Sequence, residues 1–105
     1  MTRRLNVTDN ARRDFETISA HVFRESGSRE VADTFIERLT RRCEYLAGLP
    51  GILGTDRTML GTGFRSISVR GYLIFFRYRD DVMEIIHVVR SSRDLAAYFS
   101  GDDQE

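Results

Sequence analysis

Polar residues alternate with Leu5 and Val7 over residues 3–8, the period of a short strand. The period then lengthens. Ala11, Phe15, Ile18 and Val22 form a one-sided helical stripe, with Thr8 or Asp9 placed to cap it. Ser26 and Gly27 close this helix, and Gly27 suits the left-handed position after its last turn. Ser28 can cap a second helix, whose stripe is Ala32, Phe35, Leu39, Cys43 and Leu46 and which Gly48 and Pro50 stop. So short a join sets the two helices antiparallel, as a hairpin. Residues 50–63 hold one Pro and four Gly and form a loop, either a plain connector or a functional arm.

Beyond the loop the period falls to two. Residues 64–69, 72–79 and 82–90 are expected as three strands, joined by two-residue turns at Arg70-Gly71 and Asp80-Asp81. Turn length sets register. The second turn pairs Arg79 with Val82, Arg77 with Glu84, Phe75 with Ile86 and Leu73 with Val88; the first pairs Val69 with Tyr72 and Ile67 with Ile74. One face then collects Ile67, Val69, Tyr72, Ile74, Phe76, Tyr78, Met83, Ile85, His87 and Val89, and belongs under the helices. The other carries an apolar strip (Leu73, Phe75, Ile86, Val88) framed by Arg77, Arg79 and Arg90. Such a strip suits a protein partner, or the fold-back of Leu95, Tyr98 and Phe99. Residues 92–99 can form a short last helix, followed by a flexible acidic tail at 101–105.

Composition narrows the classes. A chain of 105 residues makes one domain, here residues 1–100. No apolar run approaches the roughly 18 residues of a membrane span, and the N-terminus lacks a signal-peptide core, so a cytoplasmic, membrane-free protein is expected. The single cysteine, Cys43, makes no internal disulfide and no metal-ligand spacing. The sixteen basic residues, all Arg, balance sixteen acids, which argues against stable binding to nucleic acid by phosphate contacts alone. No phosphate loop, dinucleotide fingerprint, zinc motif or nucleophile elbow is present, and neither metal nor cofactor is expected. His87 falls on the apolar face, the place of a buried neutral histidine.

The order strand, helix hairpin, glycine-rich loop and three-stranded meander resembles the ParE/RelE superfamily of bacterial toxins. The matching residues include Ala11, Asp14, Phe15 and Ile18, then Ala32, Phe35, Leu39 and Leu46. They continue through Leu49-Pro50, Gly54, Arg57 and Leu60, Gly63-Phe64-Arg65, residues 72–77, residues 84–88 and Arg93-Asp94-Leu95. The pattern is most similar to the ParE branch. The resemblance implies an α+β fold with an N-terminal strand and an antiparallel helix hairpin on one face of an antiparallel sheet. It implies a toxin of a type II toxin–antitoxin module that inhibits DNA gyrase without catalysis. Its partner would be a cognate ParD-like antitoxin of ribbon-helix-helix type, bound in a hetero-oligomer.

On this basis the target is expected at Arg57, Arg65, Arg90 and Arg93, and the antitoxin at Phe75, Arg77, Arg79, Ile86 and Val88. The alternative is a RelE-like toxin that cuts mRNA on the ribosome without metal. Its catalytic groups would be drawn from Arg93, Tyr98 and His87. Against it, Gly71-Tyr72 is followed by Leu73 where RelE-like toxins carry Arg.

Overall fold

The computed structural model describes residues 3–90; Arg93, Leu95, Tyr98, Phe99, the expected last helix and the acidic tail lie outside them. The elements run β1 (Arg4–Val7), α1 (Asp9–Ser26), α2 (Arg29–Ala47), β2 (Thr55–Asp56), a 3-10 turn (Thr58–Leu60), β3 (Arg65–Val69), β4 (Tyr72–Arg79) and β5 (Val82–Arg90). Local chemistry sets the helix ends. The Thr8 hydroxyl accepts from the Ala11 N–H and that of Ser28 from Val31, while Gly27 takes φ 70° and returns its N–H to the Phe23 carbonyl.

The sheet has five strands in the order β1-β5-β4-β3-β2. Strands β2 to β5 pair antiparallel, but β1 joins β5 in parallel, so the sheet is mixed. The helices cover one face. Phe15, Ile18, Leu39, Cys43 and Leu46 meet Val69, Tyr72, Ile74, Phe76, Met83 and Ile85 there. Burial, with the Glu44 charge second, pushes the Cys43 thiol up to about 11, so it packs as a neutral apolar group.

Both hairpin turns form where expected, and Arg70, Gly71 and Asp80 take positive φ. The expected pairs Val69–Tyr72, Ile67–Ile74, Arg79–Val82 and Arg77–Glu84 are present. The remaining β4–β5 pairs are not. A β-bulge at Phe75/Phe76 leaves Ile86 without a partner, and beyond it Phe75 faces His87, Ile74 faces Val88 and Leu73 faces Val89. The expected pairs Phe75–Ile86 and Leu73–Val88 are thereby corrected. Val88 turns into the core under the helices, while His87 and Val89 pass to the opposite face.

The cause lies where β1 stops. Beyond Val7 the edge of β5 would carry unpaired backbone groups, and the start of α1 supplies partners for them. The Thr8 hydroxyl donates to the carbonyl of Ile85 at 2.7 Å and reaches that of Ile86 at 3.4 Å. An Asp14 carboxylate oxygen accepts the Val88 N–H at 2.8 Å and lies 3.2 Å from His87 Nδ1.

Candidate functional site

The sheet face away from the helices carries part of the set that the sequence assigns to a partner. Along β4 the outward positions are Leu73, Phe75, Arg77 and Arg79; β5 adds Val82, Glu84, His87 and Val89, and β1 adds Arg4 and Asn6. Leu73 and Phe75 are buried there, so the apolar strip is closed at those two positions. Phe75 pairs across the ladder with buried Ser66, whose hydroxyl accepts from Arg57 Nε at 2.8 Å.

Farther along, Glu84 holds two guanidinium groups. One of its oxygens accepts from Arg77 Nε at 2.8 Å and lies 3.5 Å from Arg79 Nη2. The Arg77 hydrogen bond holds the Glu84 carboxyl below its ordinary 4.5 against partial desolvation, with the Arg79 charge and an Asn6 hydrogen bond helping. A carboxylate with a depressed folded-state pKa stabilises the fold above its unfolded value and loses that contribution as pH falls through the folded one. In acid titrations of stability, wild type and Glu84→Gln should therefore differ most above pH 4.5 and converge below it. A constant difference across that range would remove Glu84 as the titrating group.

The expected target set is not brought together. Arg57 lies on the outward face beside Ser66. Arg65 pairs with Phe76 on the helix side and donates to the Leu53 carbonyl at 2.7 Å and the Gly54 carbonyl at 2.9 Å. Arg90 pairs with Tyr72, also on the helix side, and its Nη1 lies 3.2 Å from His21 Nε2 on α1. Arg93, like Tyr98, lies outside the described residues. Of the antitoxin set, Arg77 and Arg79 are adjacent, Ile86 is half-buried at the bulge, Phe75 is buried, and Val88 has moved to the other side. His87 of the nuclease alternative is half-exposed and paired with Asp14 rather than enclosed in the core.

Sequence reasoning missed the anchoring of the loop after α2. Arg3 Nη1 donates to the carbonyls of Leu49 at 3.2 Å and Gly51 at 2.8 Å, and its guanidinium stacks 4.0 Å from the Tyr78 ring centre. The Tyr78 hydroxyl accepts the Leu53 N–H at 3.2 Å. No residue type in the sequence marks these contacts, because the partners of Arg3 and Tyr78 are backbone groups. Among the described residues no group of three His, Cys, Asp or Glu could hold a metal ion, and no helix is long and apolar enough to cross a membrane.

Comparison with known proteins places this arrangement. The chain superimposes on the chromosomal ParDE toxin–antitoxin system from P. aeruginosa with a TM-score of 0.71 at 19% identity, covering 87% of this chain and 98% of that one. It also superimposes on the free state of a double-arginine mutant of the E. coli toxin RelE, with a TM-score of 0.60 at 16% identity and 98% of each chain covered. Both likenesses are of fold. No curated protein sequence matches significantly. The model of the ParE toxin of the type II toxin–antitoxin system parDE matches residues 5–95, and the chain therefore belongs to the ParE toxin family.

Proposed function

We propose that this ParE-family toxin inhibits DNA gyrase by direct protein contact and is neutralised when its cognate antitoxin binds it. The observation that carries the reading is the family match, which runs through both helices and the whole meander. Several of the candidate polar groups among the described residues are engaged within the fold. Arg57 and Arg65 donate to acceptors of the chain itself, and Arg90 sits against His21. His87 is tied to the carboxylate that also holds the β5 backbone.

The antitoxin in this proposal is a ParD-like protein of ribbon-helix-helix type, meeting its toxin in the cytoplasm as a hetero-oligomer. It docks on the outward face at Arg77 and Arg79 and beside them at Ile86 in the bulge, with Phe75 and Val88 as buried support. Glu84 orients both arginines, which lowers the cost of ordering them when a partner carboxylate arrives.

Pulse-labelling after induction of the toxin alone tests the reading. DNA synthesis should stop before protein synthesis, and co-induced antitoxin should prevent both effects. An immediate fall in protein synthesis with continuing replication would instead favour the ribosome-dependent nuclease.

A further inference from the structure

The loop that joins α2 to β3 is exposed and apolar at its tips, yet firmly held at its base. Ile52 is 60% exposed and Met59 76%, the two largest values among the exposed large hydrophobic residues described. Exposed apolar residues on a slack loop need no explanation. This loop is not slack. Arg3 holds Leu49 and Gly51, Tyr78 holds Leu53, and Arg65 holds Leu53 and Gly54. Past Gly54 the short strand β2 pairs with β3. The Arg57 N–H then donates to the Phe64 carbonyl at 2.7 Å, and Asp56 accepts from both the N–H and the hydroxyl of Thr58.

We infer that residues 49–60 form the arm by which the toxin grips its protein target, with Ile52 and Met59 as the anchoring side chains. Arg3 and Arg65 beneath it, and Arg57 within it, act as positioning residues. A contact formed by a pre-ordered loop loses little entropy on binding, and apolar side chains that enter a partner's pocket give the largest share of binding energy. Met59 adds an unbranched thioether that adapts to the pocket it meets.

The chemistry selects a protein rather than a nucleic acid. The arm contains one cation, Arg57, which is engaged with Ser66, and one anion, Asp56, which is exposed. The hydrogen bonds from Thr58 hold Asp56 in its ionised form. The tips themselves, two apolar side chains either side of an exposed carboxylate, offer phosphate no cation and suit an apolar cleft with a polar rim. This inference rests on the proposed action on a protein target; it moves the contact from the four expected arginines to the loop that two of them, Arg57 and Arg65, help to hold.

The test compares wild type, an Ile52→Ser/Met59→Ser double variant and an Ile52→Leu/Met59→Leu double variant. Growth arrest on induction, supercoiling by purified gyrase and co-purification with the antitoxin are read for each. The serine variant should need about tenfold or more toxin for the same arrest. The leucine variant should act as wild type, and both should still co-purify with the antitoxin. Arg65→Leu, which keeps both anchors and releases the loop, should also weaken arrest. A serine variant as toxic as wild type at equal soluble level overturns the inference. So does loss of antitoxin binding in step with toxicity. Growth arrest is indifferent to which protein is hit. If wild type arrests growth without inhibiting supercoiling, the gyrase assignment fails while the arm is still judged by the arrest.

Discussion

Val88→Asp is expected to unfold the toxin, and Val89→Asp is expected to leave it folded. Val88 is 3% exposed, in the cluster with Ile74 and Phe15, whereas Val89 pairs with Leu73 on the opposite face and is only half-buried. Burying an unpaired carboxylate at Val88 should cost more than about 4 kcal/mol, a large part of the roughly 5–15 kcal/mol that holds a domain of this size. At Val89 the cost should be about 1 kcal/mol, as for most substitutions. Circular dichroism and thermal melts of the two purified variants read the difference. The reverse ranking would mean that β5 continues past Ile86 without its bulge, with His87 and Val89 turned inward.

Gly54→Ala is expected to disturb the arm far more than Gly51→Ala. Both glycines take positive φ, 79° and 84°, so each alanine pays the left-handed penalty of about 1–2 kcal/mol. Only at Gly54 does the added carbon collide with backbone, at the Ser66 carbonyl oxygen; at Gly51 it meets nothing within 4 Å. Ser66 sits in the ladder opposite Phe75 and cannot yield easily. The loop must move instead, at a further cost of about 1–3 kcal/mol typical of overpacking. Moving it breaks the Arg65 hold on Leu53 and Gly54. Gly54→Ala should therefore lower both the melting temperature and the toxicity, and Gly51→Ala should lower the melting temperature by less and spare the toxicity. Equal effects at the two positions would show that the close approach to Ser66 does not hold the arm.

What could be read in the chain, and what could not, divides by the range of the deciding contact. Thr8, Gly27 and Ser28 announce the helix ends because a cap bonds within three or four residues. The turns at Arg70-Gly71 and Asp80-Asp81 set register near them because their length does. The bulge was illegible. Ile85, Ile86, Val88 and Val89 are all apolar, so either alternation satisfies the pattern. The residue that decides between them, Asp14, lies 74 positions before Val88. The parallel pairing of β1 depends likewise on a partner at the far end of the chain. The same holds for the candidate site. The Arg77/Glu84 pair was visible as opposite charges across a ladder. The hold on the loop was not, since Arg3 reaches carbonyls 46 and 48 residues away and a carbonyl acceptor has no signature in residue type.

Supercoiling by purified DNA gyrase tests most directly whether this fold acts on a protein. Toxin freed of antitoxin should abolish supercoiling in a concentration-dependent way, and stoichiometric antitoxin should restore it. Undiminished supercoiling at saturating toxin, together with cleavage of ribosome-bound mRNA by the same preparation, would contradict such action.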